Sequence, residues 1–464
     1  MDYFELKYDE TISPLYKIFN DSLFSNNKDD NKLPHTYSIK DRIDMTFYDV
    51  YSIDPDGCED ADDAFSIFEE NNKLFLAIHI ADPTEYINLD SNVWNSIKNK
   101  VITQYPSNRK PIHMMPIDIM SKSSLIENKH GNIKNAITIL TEIDNICFTP
   151  IHQIKLLFTK IKVKSSNSLS YFQASELYPS NTVLRYGINI SRALLNLRSK
   201  KTIGTALNDL SHSYIKYFDN DLCFYQDSDG EKSMKKMIAE FAIFANSFIG
   251  EYLKINFEGK GLFRTCKAND WLENYYDLSG EDLLNEIIVN GIRAEYLSNV
   301  SSHDLVGSQE YCHFTSPIRR LSDCVCHYLI KYIYLRKDRT NLLAPFTNDE
   351  LDYYSLICIS SGKSIKNIQY KDNKFRIIQA ISSILIKKKE IKLGYYIASY
   401  TGLFLNIIIN YVNEHYIYLS YTLRIPNLLK QYQIKKQYFI DITKVNCMNK
   451  FDQGTIPELD NIFL

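Results

Sequence analysis

The sequence of 464 residues lacks several features, and each absence excludes a class of protein. No run approaches the roughly 18 apolar residues of a membrane-spanning helix, so we expect no membrane association. The N-terminal stretch is acidic and mixed in character, which fits neither a secretory signal nor an Arg-rich transit peptide. The nine cysteines show no repeated spacing, and an odd number without a signal peptide favours free thiols. We therefore expect a soluble protein of a reducing compartment, with the cytoplasm as the default.

An excess of positive charge is also missing. Lysine and arginine total 53 against 56 aspartates and glutamates, so the formal net charge is −3. A large open surface that binds nucleic acid through its phosphates would usually be basic, and we expect no such surface here. A narrow basic channel is compatible with this balance, because the local potential decides binding there more than the net charge does.

Short apolar runs predict strands in the first third of the chain. Two of them, at 74–80 and 136–140, have the length and composition of buried strands. A polar segment rich in Ser, Lys, Asn and Gly, at 121–134, predicts a loop ahead of the second run. The segment 45–48, which leads towards Ile53, also has strand character.

Helical periodicity replaces this pattern after residue 180. It is clearest at 233–253, where apolar residues recur at spacings of three and four and predict a helix with one core-facing side. A second helix is predicted to begin with Ser316 as its N-cap and Pro317 in the first helical position. The apolar residues that follow extend this helix to about Tyr334.

The part of the chain from residue 391 has a different pattern. Three strand-like runs follow one another at short intervals, at 396–400, 403–409 and 416–421. Regularly spaced short strands are typical of a small barrel or sandwich. The chain is therefore predicted to be α+β, with mixed sheets and helices followed by a small all-β domain.

The strongest functional signal is a cluster of acidic residues. Six carboxylates lie within ten residues: Asp54, Asp56, Glu59, Asp60, Asp62 and Asp63. A solvated acidic loop is the simplest interpretation of such a run. Here, however, apolar residues flank the run, which lies between two predicted strands. Partly buried carboxylates at this density repel one another unless cations are present, and hard oxygen ligands suit Mg²⁺.

A calcium loop of the EF-hand type is the obvious alternative for this run. That pattern needs glycine at the sixth position and glutamate at the twelfth. Counted from Asp54, these positions hold Glu59 and Phe65, which excludes an EF-hand. A carboxylate site for one or two Mg²⁺ ions, without histidine or cysteine ligands, indicates phosphoryl chemistry.

Two consecutive arginines supply the positive charge that a phosphate requires. Arg319 and Arg320 fall in the first turn of the helix predicted from Ser316, where acidic residues are usually preferred. Because a local departure from propensity often marks a functional site, we interpret the pair as a phosphate-binding element. The alternative is a pair of surface arginines, one of which bonds to Asp323 four residues further on.

Three sequence blocks resemble the ribonuclease II / ribonuclease R (RNB) family of 3′→5′ exoribonucleases. The first is a four-aspartate signature, the second is the strand that follows it, and the third contains the arginine pair. The matching residues are Asp54-Pro55 with Asp60, Asp62, Asp63 and Ala64; His79-Ile80-Ala81-Asp82; and His303, Gly307, Tyr311, His313 to Arg320, Asp323 and His327. The resemblance covers roughly residues 41–390.

The resemblance implies an activity and a set of metal ligands. The expected reaction is Mg²⁺-dependent hydrolysis of single-stranded RNA from its 3′ end to nucleoside 5′-monophosphates, with Mn²⁺ as a substitute ion. Asp54 and Asp63 would be the best metal ligands, and Asp60 would complete the metal cluster. Asp62 would bind at the same cluster and organise the attacking water. Asp60, Asp62 and Arg319 are therefore the expected catalytic residues.

The resemblance also implies contacts with RNA. Arg319 would contact the scissile phosphate and offset the charge that grows in the transition state. Ser316 and Arg320, in the same segment, would be further RNA contacts. Tyr105 would stack on a base near the 3′ end, although a core tyrosine is a serious alternative in a chain with 34 tyrosines. His313, Asp323 and His327 are expected to brace the arginine segment.

The chain also departs from the family pattern. Residues 1–40 form an N-terminal extension where the family usually carries two cold-shock domains, so a protein partner would supply further RNA binding. Tyr370 stands where the family places a glutamate. The resemblance thus divides the chain into this extension, an RNB-type catalytic domain (41–390) and a small β-rich domain of OB or S1 character (391–464). The expected oligomeric state is a monomer, and the alternative function is a catalytically idle RNA-binding module of the same fold.

Overall fold

The computed structural model of the chain describes most of the residues between 36 and 442. The described ranges are 36–106, 110–151, 153–209, 213–218, 221–268, 273–275, 277–278, 280–289, 291–401, 404–424 and 433–442. Most of the predicted N-terminal extension and the last part of the predicted C-terminal domain lie outside them. Within these ranges, no helix combines the length and the apolar character that crossing a bilayer requires.

Strands and helices are interspersed along the described chain. The strands are β1 (Ile43–Asp44), β2 (Ser52–Asp54), β3 (Asp63–Glu70), β4 (Lys73–Ala81), β5 (Ile133–Ile143), β6 (Lys155–Lys162), β7 (Ser168–Ser170), β8 (Tyr214–Phe218), β9 (Asp221–Tyr225), β10 (Lys260–Thr265), β11 (Glu295–Asn299), β12 (Ile391–Thr401), β13 (Phe404–Val412), β14 (His415–Arg424) and β15 (Gln437–Ile442). The α-helices are α1 (Asn92–Lys100), α2 (Ile117–Ser123), α3 (Tyr171–Leu177), α4 (Thr182–Ser199), α5 (Asp229–Asn256), α6 (Gly280–Val289), α7 (Leu321–Leu335) and α8 (Asn348–Lys388). Short 3-10 helices span Pro83–Tyr86, Ser165–Asn167, Ile203–Asp209 and Glu273–Tyr275.

A five-stranded sheet with the strand order β1-β6-β5-β4-β3 lies within the main hydrophobic core. β3 to β6 pair antiparallel, and β1 is parallel to β6. β4 is buried along most of its length, which agrees with its continuous apolar sequence. The strands predicted at 74–80 and 136–140 are confirmed as β4 and β5. The loop predicted at 121–134 is shorter than expected, because α2 continues to Ser123.

The prediction of strand character at 45–48 is wrong. Residues 46–48 form a turn directly after β1. In this turn the Asp44 carboxylate accepts the Thr46 N–H at 2.9 Å, and the Tyr48 N–H donates to the Met45 carbonyl at 3.3 Å. An aspartate that accepts a hydrogen bond from the backbone two residues on stabilises a turn in competition with strand pairing.

The helix predicted at 233–253 is confirmed by α5, which is longer at both ends. It begins with a capping box, in which the Ser228 side chain accepts the Glu231 N–H and the Glu231 carboxylate accepts the Ser228 N–H. Met234, Met237 and Phe241 on its apolar side are buried in the main core. The periodicity of the sequence therefore identified both the helix and its buried side.

The predicted start of the second helix at Ser316 is wrong, because α7 begins at Leu321. Residues 317–319 form a turn, which is closed by a hydrogen bond from the Arg320 N–H to the Ser316 carbonyl (3.0 Å). Arg320 itself is extended and pairs with Ile102. The backbone next to Ile102 thus forms hydrogen bonds with N–H and C=O groups around Arg320. In a helix, these groups would have bonded to one another. This partner is distant in the sequence, so the local N-cap pattern gave no sign of it.

A second, smaller core lies towards the C-terminus. β12 to β15 form an antiparallel sheet in the order β14-β13-β12-β15, and the three predicted strand runs coincide with β12, β13 and β14. One face of this sheet packs on the end of α8 through Ile377, Ile378, Ile381 and Leu385. The pairings among the described strands form an open sheet, so the predicted barrel stays a prediction.

Candidate active site

The acidic cluster forms the loop between β2 and β3. β2 ends at Asp54 and β3 begins at Asp63. Two backbone hydrogen bonds between Tyr51 and Phe65, each 2.8 Å long, bring the two ends of the loop side by side. Gly57 lies within the loop at φ +75°, a conformation that favours glycine. The loop therefore gathers its carboxylates into a small volume at the edge of the main core.

This loop forms one wall of a cavity with a volume of about 740 Å³. Other walls come from α3, from α5 and from the segment ahead of α7. Every residue of the predicted site lines this cavity except Arg320. The residues that do so are Asp54, Asp60, Asp62, Asp63, Tyr105, Ser316 and Arg319.

Burial disfavours the charged forms of Asp54 and Asp63. It raises the pKa of Asp54 to about 8, and the negative charges of Asp63 and Asp60 add to that rise. Burial also raises the pKa of Asp63 to about 6, although the Arg319 guanidinium opposes this rise. A positive ion in the cluster would offset both the desolvation and the mutual repulsion of the carboxylates.

Asp62 joins the acidic loop to the segment ahead of α7. Its Oδ1 accepts the Ile318 N–H at 2.7 Å, and its Oδ2 accepts the Arg319 Nε–H at 3.1 Å. Burial raises the pKa of Asp62, and these two donors oppose that rise. Arg319 also donates from Nη2 to Ser316 Oγ at 2.9 Å. The Arg319 side chain is nevertheless 44% exposed, so a ligand in the cavity can reach it.

Arg320 does not follow its neighbour into the cavity. Its Nε donates to Asp323 Oδ2 at 2.9 Å, and its Nη2 donates to Asp323 Oδ1 at 2.8 Å. Asp323 Oδ1 also accepts the Ser316 N–H at 2.8 Å. The predicted alternative pair of Arg319 with Asp323 is thus replaced by a pair of Arg320 with Asp323. Arg320 supports the turn that presents Arg319.

Three side chains surround Asp60. The Tyr105 hydroxyl donates to Oδ2 at 3.1 Å, and the Cys58 thiol donates to Oδ1 at 3.5 Å. His113 Nδ1 lies 3.8 Å from Oδ2. Tyr105 is 39% exposed, so it belongs to the wall of the cavity and not to the hydrophobic core.

Several side chains of the cavity were not singled out in the sequence, among them Tyr171, Lys235 and His113. Tyr171 begins α3 directly after β7, which pairs in parallel with β2, the strand that leads into the acidic loop. Lys235 on α5 donates to Asp227 at 2.7 Å. These placements depend on strand pairing and helix packing, for which the linear sequence holds no signal.

His327 and Tyr370, which were also singled out in the sequence, do not line the cavity. His327 is fully buried in α7, with Nε2 3.0 Å from the Phe314 carbonyl oxygen. Tyr370 lies on α8 and donates its hydroxyl to the Ser420 carbonyl at 3.0 Å. His327 therefore braces the segment ahead of α7, as expected, whereas Tyr370 connects α8 to the C-terminal sheet.

The aspartate cluster fits a hard divalent cation by the chemistry of its donors. They are carboxylate oxygens, which Mg²⁺ prefers, and a cation would stabilise the charged forms of Asp54 and Asp63, whose pKa values burial raises. Among the described residues, however, no group of three or more Asp, Glu, His or Cys side chains is arranged so that it could hold a metal ion. At least one of these side chains would therefore have to turn when an ion binds.

Comparison with known proteins gives a match over most of the chain. A family model described as the RNB domain matches residues 42–336. Among curated proteins, Exoribonuclease 2 of Buchnera aphidicola subsp. Schizaphis graminum is 28% identical over 397 residues, which cover 76% of this chain and 58% of that protein. The chain spans about half the length of the curated relatives it matches.

Solved structures of nucleases have a similar fold. An active-site mutant of the Dss1 exoribonuclease from Candida glabrata superposes with a TM-score of 0.71 at 17% identity, covering 87% of this chain and 54% of that chain. Mycoplasma genitalium RNase R in complex with ribose-methylated single-stranded RNA superposes with a TM-score of 0.66 at 19% identity, covering 89% of this chain and 74% of that chain. At these identities, the likeness shows the fold.

Proposed function

This chain belongs to the RNB domain family, and on that basis we propose that it is a Mg²⁺-dependent 3′→5′ exoribonuclease that hydrolyses single-stranded RNA to nucleoside 5′-monophosphates. One observation carries the proposal. The four signature aspartates and Arg319 line the same cavity, although a long stretch of sequence separates them. Carboxylates that can hold a metal, beside an accessible guanidinium, form the combination that phosphodiester hydrolysis requires.

The aspartates hold the metal in this proposal. Asp54 and Asp63 are the main ligands, and Asp60 completes the set. Mn²⁺ is expected to replace Mg²⁺, since both accept carboxylate oxygens. When bound, the ion supplies charge stabilisation for the reacting phosphate. A bound ion would favour the ionised forms of Asp54 and Asp63, because burial raises the pKa of both and the neighbouring carboxylates add to the rise for Asp54.

Arg319 and Asp62 act on the reacting phosphodiester. Arg319 contacts the scissile phosphate and offsets the charge that develops on it. Asp62 holds Arg319 in place through the bond to Nε. An ionised carboxylate has about four acceptor positions, so Asp62 can also accept a hydrogen bond from the attacking water. Asp60 acts beside Asp62 and also anchors the Tyr105 hydroxyl.

Tyr105 and Ser316 complete the contacts with RNA. The partly exposed ring of Tyr105 offers a face on which a base near the 3′ end can stack, which is a sequence-tolerant way to hold a single strand. Ser316 Oγ lies beside the Arg319 guanidinium and can contact the same phosphate. Arg320 contributes indirectly, since its guanidinium is bound to Asp323.

The proposal includes a division of the chain into a catalytic domain (41–390) and a β-rich domain (391–464). Two separate hydrophobic clusters support it, and α8 contributes to both of them.

All eight cysteines in the described ranges are free, which supports a reducing compartment such as the cytoplasm. A monomer, helped in RNA binding by a protein partner, completes the proposal.

The test uses purified full chain and a 5′-labelled single-stranded RNA, in Mg²⁺ and in EDTA, beside DNA of the same sequence. We expect a ladder that shortens from the 3′ end, with 5′-monophosphates released only from RNA and only with metal. RNA that shifts on a gel but stays intact would instead identify a catalytically idle binding module. Equal cleavage of DNA would contradict recognition of the ribose 2′-hydroxyl.

A further inference from the structure

His113 is a histidine of the cavity wall to which the proposed reaction assigns no role. Its backbone is firmly held. Gln104 and Ile112 exchange two backbone hydrogen bonds of 3.0 and 2.8 Å just ahead of it. The Lys100 ammonium donates to the His113 carbonyl at 3.0 Å. These bonds fix the backbone from which the His113 side chain extends towards the cavity.

The ring of His113 faces the acidic cluster. Its Nδ1 lies 3.8 Å from Asp60 Oδ2, and only 13% of the side chain is exposed. Nδ1 is buried and has no hydrogen-bond partner within the described part of the chain. A buried polar atom without a partner costs about 1–3 kcal/mol, so it needs a reason to persist. A ligand that enters the cavity is the partner that the arrangement allows.

We propose that His113 Nδ1 is an additional metal ligand beside Asp60, and that it gives the site a preference for a first-row transition ion such as Mn²⁺ over Mg²⁺. The inference rests on the proposed function, because it assigns a ligand to the metal of that site. Mg²⁺ selects oxygen ligands and keeps several waters, whereas transition ions accept an imidazole nitrogen readily. One nitrogen ligand among carboxylate oxygens therefore shifts the metal selectivity of the site towards Mn²⁺, while the site can still bind Mg²⁺.

The separation of the two donors agrees with a shared ion. Donors that each lie about 2.1 Å from one ion can be up to about 4.2 Å apart, and Nδ1 and Oδ2 are 3.8 Å apart. Tyr105 bonds to the same Oδ2, so an ion at this end of the cluster would compete with the Tyr105 hydroxyl. Because no three donors converge among the described residues, a third ligand such as Asp54 has to turn towards the pair.

The experiment follows Mn²⁺ itself and requires no RNA. Electron paramagnetic resonance of free Mn²⁺ gives the affinity of the full chain, and competition with Mg²⁺ gives the selectivity. We expect His113→Ala to weaken Mn²⁺ binding by at least about tenfold and to change the Mg²⁺ affinity much less. Electron spin-echo modulation from coordinated ¹⁴N should be present in the wild type and absent in His113→Ala.

His130→Ala is the matched control. His130 Nε2 also lies near a carboxylate, 3.5 Å from Asp118 Oδ1, but His130 does not line the cavity. This variant should bind Mn²⁺ like the wild type and keep the ¹⁴N signal. Circular dichroism and melting temperatures of all variants establish that each is folded.

Three outcomes would overturn the inference. One is a wild type that binds Mn²⁺ without ¹⁴N modulation, and the second is an unchanged Mn²⁺ affinity in His113→Ala. The third is a loss of RNA affinity in His113→Ala with Mn²⁺ binding intact, which would make His113 an RNA contact.

If Asp54→Asn loses Mn²⁺ while His113→Ala does not, the inference fails and the proposed metal cluster stands. If the wild type binds no Mn²⁺ or Mg²⁺, both fail.

Discussion

Asp62 connects two segments of the chain that are far apart in the sequence. Its spacing from Asp54 identified it as a site residue, but its partners Ile318 and Arg319 depend on the fold. The carboxylate is almost completely buried, at 3% exposure, so it is held mainly by these partners. A change that preserves its shape and removes its charge therefore tests its role in the reaction and in holding Arg319 without leaving a cavity.

We predict that Asp62→Asn lowers the turnover of RNA by on the order of 10³. The variant loses the acceptor that holds Arg319, and arginines in phosphoryl transfer contribute at least about this factor. The amide oxygen can still accept the Ile318 N–H, so we expect the variant to fold. The amide NH₂, however, would face the Arg319 Nε–H, which places two donors together. The matched control is Asp56→Asn, an exposed acid of the same loop, which should keep most of the activity. Wild-type turnover in Asp62→Asn would exclude the proposed site.

His79 on β4 is a buried histidine without a charged partner. Its Nε2 lies 3.1 Å from Ser66 Oγ and its Nδ1 lies 2.8 Å from Thr138 Oγ1. Burial lowers the pKa of His79 to about 3. In the unfolded chain the ring binds a proton near its usual pKa of about 6.5. Between these two pH values, the unfolded state binds more protons than the folded state.

We therefore predict that His79 makes the protein less stable as the pH falls below about 6.5, by up to ~1.4 kcal/mol per pH unit. The free energy of unfolding in urea, measured at pH 7, 6 and 5, should fall more steeply in the wild type than in His79→Gln. Glutamine keeps an acceptor and a donor for Ser66 and Thr138 but does not titrate. Equal slopes in the two proteins would show that His79 is not the source of the pH dependence.

Helices α5 and α7 show when the start of an element can be predicted. α5 begins with a capping box that lies entirely within the sequence around Ser228. α7 has no such local signal at its true start, because its N-cap is Arg320, whose side chain makes no capping bond. Asp323 in its first turn instead binds Arg320 and the Ser316 N–H, and it is fully buried. This aspartate holds the turn that carries Arg319.

We predict that Asp323→Ala lowers the free energy of unfolding by about 3 kcal/mol, because it removes the buried counterion of the mostly buried Arg320 and the acceptor of the Ser316 N–H. Asp349→Ala is the matched control, since Asp349 is an exposed acid in the first turn of α8. Its loss should cost about 0.3–1 kcal/mol through the helix dipole alone. Urea denaturation of the two variants measures the difference. Equal effects would contradict a supporting role for the Arg320–Asp323 pair.

Among the described residues, the two largest hydrophobic cores share one long helix. The main core includes residues of α8 such as Leu351 and Tyr354, whereas Ile377 and Ile381 further along the helix belong to the C-terminal core. The residues that line the cavity with the aspartates all lie between Ile53 and Arg319 in the sequence. Damage to the second core should therefore leave the candidate site able to bind its ion.

We predict that Ile409→Ala destabilises the C-terminal sheet by about 2–5 kcal/mol, because Ile409 is fully buried there. Hydrogen exchange should accelerate in β12 to β14, while the Mn²⁺ affinity stays that of the wild type. Ile386→Ala is the matched control, since Ile386 on α8 is 82% exposed. A loss of Mn²⁺ binding in Ile409→Ala would show that the two cores are not separable.

The sequence by itself determined the features that depend on near neighbours along the chain. The acidic loop ahead of β3, the strand β4 and the helix α5 follow from spacing and periodicity, which are local properties. The tertiary structure alone decided which side chains meet. It separated Arg319 from Arg320, moved the start of α7 to Leu321 and placed His113 beside Asp60. The physical reason is that hydrogen-bond and ion partners are chosen by proximity in space, and no local pattern encodes a partner from a distant segment.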